Sequence, residues 1–218
     1  MRLIQEAVSL FFIYSFLGWI IEITYVSILN RKFTDRGFLI EPICPIYGVS
    51  CIFLTYLFGN LKNHYILVFL ISTIVCTIIE YIKGYVLEKV FKTKWWDYSR
   101  FMFNINGRIC LRNSILFGIL GTIVVSFVSP YFQTLLEGIP HNILLIILIF
   151  LSVVFVLDFT LSSIIVHKIK VRAKDIPRNN KKELNEQVKE YIIKDSILYK
   201  RVIRAFPDFK IFYRFKRK

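Results

Sequence analysis

The chain has 218 residues, of which 56% are hydrophobic and 17% aromatic, and its formal net charge is +14 at pH 7. A soluble domain of this length cannot bury so much apolar surface, so the composition excludes an ordinary soluble protein and indicates an integral membrane protein. The four cysteines form no C-x-x-C pair and the three histidines lie far apart, which excludes the common cysteine–histidine zinc motifs. We therefore expect neither a metal site nor a cofactor.

Five continuous apolar runs are each long enough to cross a bilayer as a helix. They cover residues 7–29, 43–61, 65–87, 114–132 and 143–166. Helices are expected because the runs do not alternate like strands and lipid offers no water to unpaired backbone groups. The first run is too long for a signal peptide and contains Glu22, so we expect it to be retained as a transmembrane helix. The prediction is an all-α polytopic membrane protein with a transmembrane domain at 1–166.

Basic residues alternate between the connections that join these runs. The first connection carries Arg31, Lys32 and Arg36, and the third, at 88–113, carries six basic residues, whereas the second and fourth carry one and none. The segment 167–218 contains 17 basic and 6 acidic residues. Because basic residues accumulate on the cytoplasmic side, we expect the N-terminus outside and the first connection, the third connection and the tail in the cytoplasm.

The basic tail at 167–218 has a pattern of its own. Apolar residues recur at helical spacing between Leu184 and Phe206, with lysines and arginines between them, and Pro207 should end the helix. A basic amphipathic helix fits the anionic lipids of the inner leaflet. The alternative is a solvated helix that only enforces orientation. The tail contains no nucleic-acid-binding motif, so we do not expect a nucleic-acid partner.

The apolar runs contain an internal similarity. The first and third match at an offset of 58 residues and share the sequence IIE, and the second and fourth match at an offset of 70. The aligned positions are Ser15 and Thr73, Gly18 and Cys76, Trp19 and Thr77, Glu22 and Glu80, Cys44 and Ser114, Tyr47 and Phe117, Gly48 and Gly118, and Cys51 and Gly121. The small residues let helices approach closely. This pattern predicts two parallel helical-hairpin repeats, related by an axis along the membrane normal, plus a fifth helix.

Three acids lie inside the apolar runs at a similar depth. Glu22, Glu80 and Asp158 each lie seven or eight residues before the cytoplasmic end of their run, which places them about 10–12 Å from that edge. An ionisable group inside a span costs roughly 2.5–3.5 kcal/mol, so such groups normally turn inward and pair. The candidate partners are charged residues of the cytoplasmic connections, namely Asp35, Arg36, Asp97, Arg100, Arg108 and Arg112.

This set of charges has two interpretations. In the first, buried ion pairs only fix the packing of the helices. In the second, the charges line a polar cavity that opens to the cytoplasm and binds a polar or anionic group, such as a lipid headgroup or a small solute. Arginine suits either role, because its planar fork can hold a carboxylate or a phosphate with two hydrogen bonds.

The stretch KWWDYS at 94–99 lies in the third connection. Trp95, Trp96 and Tyr98 fit an aromatic belt at the membrane surface. Trp19, in the first run, joins them as a candidate site aromatic. A belt does not explain Asp97 or the polar residues that follow it. We therefore expect residues 88–113 to fold back into the interface and close the cavity from below, since irregular backbone at that depth must be buried in protein or line water.

The motifs SFLGWIIE, RGFLIEPICPIYG, IIEYIKGYVLE and WWDYSRFMFNINGRICLRNSILFG follow one another between residues 10 and 125. In this order they resemble a family of bacterial integral membrane proteins described as "putative ABC-transporter type IV", or CmpB-like. The resemblance implies a membrane component of a transport system in the bacterial inner membrane. One position departs from the family pattern, because Glu41 stands where a glycine is expected before Pro42.

Three functions are compatible with these features. A transporter component would need a separate nucleotide-binding subunit, because the chain has no G-x-x-x-x-G-K-[ST] motif. A lipid-headgroup binder or membrane enzyme would use the buried carboxylates as acid and base with the loop arginines on a phosphate, although no nucleophile motif accompanies them and we do not expect an enzyme. A non-catalytic scaffold would use the charges for packing alone. Helices with small-residue faces could also self-associate as a homo-oligomer.

Overall fold

The structure is a computed structural model that describes residues 2–31, 39–91, 93, 94, 96–172, 210 and 211. Six α-helices account for most of these residues: α1 (Arg2–Asn30), α2 (Pro45–Phe58), α3 (Tyr65–Phe91), α4 (Leu111–Ile123), α5 (Ser129–Glu137) and α6 (His141–Arg172). A 3-10 turn, Gly59–Leu61, extends α2, and a π-helical turn, Val124–Val128, joins α4 to α5. The predicted tail helix at 184–206 lies outside the described residues, as do Asp35, Arg36 and Trp95.

The regular secondary structure of the described part of the chain is helical apart from one short strand pair, and the protein is of membrane type. Within the described residues, four helical segments are long and apolar enough to cross a membrane: Arg2–Ile28, Tyr65–Val90, Leu111–Glu137 and His141–Lys168. The apolar helix Pro45–Leu61 is shorter. Apart from residues 43 and 44, every predicted apolar run lies in helical structure, because continuous apolar sequence can pair its backbone only within itself.

Polar contacts show which helix ends lie together. The Arg2 guanidinium donates to the carbonyl of Glu137 over 2.6 Å, and the Gln5 amide donates to the carbonyl of His141 over 3.4 Å. The start of α1, the end of α5 and the start of α6 therefore meet at one end of the bundle, which we call the Arg2 end. The opposite end, where residues 96–110 lie between α3 and α4, is the loop end.

Two pairs of helices approach closely through glycines. A β-carbon on Gly48 of α2 would overlap Ser15 and Phe11 of α1, and one on Gly118 of α4 would overlap Thr73 and Phe69 of α3. Hydrogen in place of a side chain lets the backbones come together, as in other close-packed membrane helices. The contacts give the hairpins α1–α2 and α3–α4.

The π-helical turn marks the junction of α4 and α5. Pro130 follows the turn and has no N–H to donate to the preceding turn, so the regular α-helical ladder cannot continue through it. Val125 of the turn packs with Leu54 and Val68, which joins α2, α3 and the turn in one buried cluster.

A minimal sheet lies near the loop end. Strands β1 (Thr93–Lys94) and β2 (Lys210–Ile211) are antiparallel, with Thr93 opposite Ile211 and Lys94 opposite Lys210. The pairing places a short piece of the basic tail directly beside the connection between α3 and α4.

Candidate functional site

A cleft of about 210 Å³ lies between the two hairpins. Its walls come from α1, α2, α3, α4 and the π-helical turn, and they are mostly apolar. Ile20, Ile21 and Ile123 line the cleft and are more than a third exposed, so the cleft reaches the surface of the bundle between α1 and α4. Glu80 is the charged residue in its wall.

The two carboxylates at aligned positions have different neighbours. The Tyr47 hydroxyl donates to Glu22 over 2.9 Å, and the Tyr47 ring packs against Gly18. Glu80 instead forms an ion pair with Lys83, 2.5 Å away and one helical turn along α3. Both side chains of this pair are partly buried. Of the predicted acids, Glu80 therefore lines the cleft, whereas Glu22 is hydrogen-bonded to Tyr47 and is not among the lining residues.

Lys83 has a second contact that links α3 to the loop. Its ammonium nitrogen lies 4.5 Å from the centre of the Trp96 ring. The Trp96 indole N–H donates to the carbonyl of Arg108 over 2.9 Å. A continuous line of contacts thus runs from the cleft through Glu80, Lys83 and Trp96 to Arg108.

Arg108 anchors the loop on α3. Its guanidinium donates to Glu88 over 2.6 and 3.1 Å and to the Tyr81 hydroxyl over 2.9 Å. Hydrogen bonding to Glu88 raises the pKa of the Arg108 guanidinium, although partial burial acts in the opposite direction. The side chain also packs against Gly84. The expectation that the buried acids supply the partners of the loop arginines is wrong for Arg108, which uses Glu88.

Asp97 organises the turn that follows Trp96. One of its oxygens accepts hydrogen bonds from the Lys94 ammonium and from the backbone and hydroxyl of Ser99. Gly107, at φ +67°, lies against these same three residues. Only glycine fits this crowded left-handed position without strain. Asp97 is therefore part of the loop's internal structure.

Asp158, on α6, accepts hydrogen bonds from the connection between α1 and α2. Its two oxygens accept the backbone N–H groups of Ile40 and Glu41 over 3.0 and 2.8 Å, and one also accepts from Ser162. Asp158 is 5% exposed. It fastens the connection between α1 and α2 to α6 and does not line the cleft. Burial raises the pKa of the Glu41 carboxyl, and the charge of Asp158 adds to the rise.

Three hydroxyl groups from α1, α2 and α5 meet beside the cleft, where Tyr14 lines its wall. The buried Tyr14 hydroxyl donates to Ser129 over 2.7 Å, and the Ser129 and Thr55 hydroxyls lie 2.8 Å apart. Sequence reasoning missed these three residues, because single hydroxyls are common in apolar helices and only the fold brings them together. Sequence reasoning also missed Glu6, whose carboxylate accepts hydrogen bonds from Gln133 over 2.8 Å and from Tyr56 over 3.2 Å.

The remaining predicted residues lie apart from the cleft. Arg100 is exposed on the loop beside Phe101, Met102 and Phe103, which are also exposed. The Arg112 guanidinium lies 5.7 Å from the ring of Tyr25. Tyr98 packs edge-on against Phe101. The Trp19 indole nitrogen is buried and has no hydrogen-bond partner among the described residues.

The part of the chain that the structure describes contains no group of acidic, histidine and cysteine side chains that could hold a metal ion. A family model described as "Putative ABC-transporter type IV" matches residues 9–163. The chain belongs to this family. The type IV match includes the cleft, the loop and Asp158, and it ends before the basic tail. No curated protein and no solved structure matches the chain.

Proposed function

We propose that this type IV protein is the membrane-spanning component of a transport system and that the cleft between its hairpins holds the transported ligand. The observation that carries the proposal is the cleft itself, an open space with the acidic residue Glu80 in a mostly apolar wall. Ionisable groups inside membrane spans are rare and usually mark a ligand or ion pathway. The hydroxyls of Tyr14, Thr55 and Ser129 close this pathway at the Arg2 end, and the loop closes it at the loop end.

We further propose that the hairpins are parallel repeats. The support is that glycine contacts recur at the predicted offsets: Gly48 and Gly118 correspond, as do Ser15 and Thr73, and Phe11 and Phe69. Three aligned pairs also line the cleft, namely Gly18 and Cys76, Tyr47 and Phe117, and Cys51 and Gly121. Binding sites between structural repeats are a common design of membrane transporters.

The proposed topology has five spans in the bacterial inner membrane, with the short helix Pro45–Leu61 as the second. The Arg2 end lies outside, and the loop end and the tail lie in the cytoplasm. The alternation of basic residues supports this orientation. The tail would contact anionic lipids, and β2 would keep part of it at the loop end.

The energy for transport would be supplied by a separate nucleotide-binding subunit that docks at the loop end. The test is native mass spectrometry of the protein after gentle extraction from its host membrane. We expect a stoichiometric complex with a nucleotide-binding chain. A lone chain or a homo-oligomer would overturn the transport assembly, and a lone chain that carries one defined lipid would favour the headgroup-binding alternative.

A further inference from the structure

The cleft carboxylate has a counterion that is able to leave it. Lys83 approaches Glu80 from the next turn of the same helix, and its ammonium also lies over the Trp96 ring. Lysine has a long, flexible stem and a compact charge, so it can exchange partners without movement of its backbone. The aromatic face offers the ammonium a second favourable site.

We propose, on the basis of the transport function above, that the cleft binds an amphipathic organic cation whose charged group replaces Lys83 at Glu80. The released Lys83 then interacts with Trp96 alone. Because Trp96 is hydrogen-bonded to Arg108, occupancy of the cleft changes the loop at the end where a partner subunit would dock. Lys83 is thus a positioning residue that reports the ligand's charge to the loop.

The two parts of the ligand follow from the two parts of the wall. The apolar lining from α1, α2 and α4 favours an apolar body. Glu80, the acidic residue of the wall, favours a positive group over a neutral or negative one. An acyl chain from the bilayer would fill the apolar space, but it would leave the Glu80–Lys83 pair unchanged and would not select for charge.

The binding test uses the full chain in nanodiscs of phosphatidylethanolamine and phosphatidylglycerol, with empty nanodiscs as the blank. The probe is radiolabelled benzyltrimethylammonium, which has a small aromatic body and a permanent positive charge. Neopentylbenzene has nearly the same shape without the charge. We expect saturable binding of the cation and weak or no displacement by the neutral compound.

Two substitutions in the pair should have opposite effects. Glu80→Gln removes the attraction and should weaken cation binding by about tenfold or more. Lys83→Met removes the competing ammonium and should tighten binding by about tenfold. Glu137→Gln is the control, because Glu137 is an exposed carboxylate at the Arg2 end and does not line the cleft, and its variant should bind the cation as the natural chain does.

The link to the loop is read from Trp96 fluorescence in a chain with Trp19→Phe and Trp95→Phe. Cation binding should change the Trp96 emission when Lys83 is present and should leave it unchanged in Lys83→Met. If the Glu80–Lys83 ion pair has only a structural role, neither Glu80→Gln nor Lys83→Met should tighten cation binding.

Several outcomes would overturn the inference. They are a lack of saturable binding, equal displacement by neopentylbenzene, or a Lys83→Met variant that binds no more tightly than the natural chain. Lys83→Met keeps the test decisive if Glu80→Gln does not fold. Failure here would leave the subunit composition of the extracted complex unaffected, so it is distinguishable from failure of the proposed transport assembly.

Discussion

At the scale of single residues, one hydroxyl group distinguishes the environments of Glu22 and Glu80. Tyr47 donates its hydroxyl to Glu22, whereas Phe117 stands at the aligned position of the second hairpin and has no hydroxyl to offer Glu80. Glu80 pairs with a lysine on its own helix and lies in the wall of the cleft. The two hairpins thus share a carboxylate position but give it different chemistry.

Glu41 gives a prediction about pH. Burial and the charge of Asp158 raise its pKa above the ordinary value of 4.5, so the folded state holds the proton more tightly than the unfolded state. The contribution of Glu41 to stability is therefore greatest below the ordinary value and is lost as the pH rises through the folded-state pKa. Glu41→Gln should raise the unfolding temperature at neutral pH, and the gain should vanish in acid.

The measurement is thermal unfolding of both chains in one detergent over an acidic-to-neutral pH series. Glu137→Gln is the control, because it changes a carboxylate at the Arg2 end, far from Asp158. A Glu41→Gln effect that is the same at every pH would contradict the electrostatic explanation.

At the scale of helices, the glycine contacts decide how closely each hairpin packs. Gly118→Ala places a methyl group against Thr73 and Phe69, and Gly48→Ala places one against Ser15 and Phe11. Each should destabilise the protein by about 1–3 kcal/mol, because an overpacked interface must shift its backbone. If the hairpins are repeats, the two losses should be similar.

The loss of stability in each variant is measured by unfolding it in detergent while circular dichroism monitors the helix content. Gly59→Ala is the matched control, because nothing lies within 4 Å of a β-carbon there. Losses at Gly48 and Gly118 no larger than that of the control would show that the close approach is unimportant. Thr73→Ala combined with Gly118→Ala should recover part of the stability.

The helices themselves are predictable, because a continuous apolar run in lipid has one way to satisfy its backbone. The pairing of side chains is less predictable, because it depends on how each helix is rotated against its neighbours. Glu88 shows this: it lies at the end of an apolar run among other charges, and only the docking of the loop on Gly84 makes it the partner of Arg108.

The candidate site shows the same division. Glu80 is predictable as an ionisable residue inside a span. The hydroxyl contact between Tyr14 and Ser129 joins residues 115 positions apart in the chain. No local pattern indicates such a contact, and the apolar lining of the cleft likewise forms only when both hairpins are in place.

At the scale of the whole molecule, the proposed orientation can be tested with single cysteines. In a background without Cys44, Cys51, Cys76 and Cys110, Gly138→Cys reports the Arg2 end and Met102→Cys reports the loop end. A membrane-impermeant maleimide should label Gly138→Cys on intact spheroplasts, and it should label Met102→Cys only after the membrane is permeabilised.

If Met102→Cys were labelled on intact spheroplasts and Gly138→Cys only after permeabilisation, the loop and the tail would lie outside. That result would rule out the proposed docking of a cytoplasmic subunit. Both exposed positions should react equally in detergent, which serves as the control for thiol reactivity. Labelling of both cysteines on intact spheroplasts would show that the two ends do not lie on opposite sides of the membrane.

The π-helical turn at Val124–Val128 also has a meaning in genetic terms. It contains one residue more than an α-helical turn would need, which is the length of a single codon. The wider turn takes up that residue, so α5 keeps the rotation that brings Ser129 to Tyr14. One further inserted codon, with no second wide turn to take it up, would rotate everything beyond it by about 100°. The span would still be apolar, but Ser129 would turn away from Tyr14, so the hydroxyl contact near the Arg2 end depends on the length of the gene at a point where hydropathy would not change.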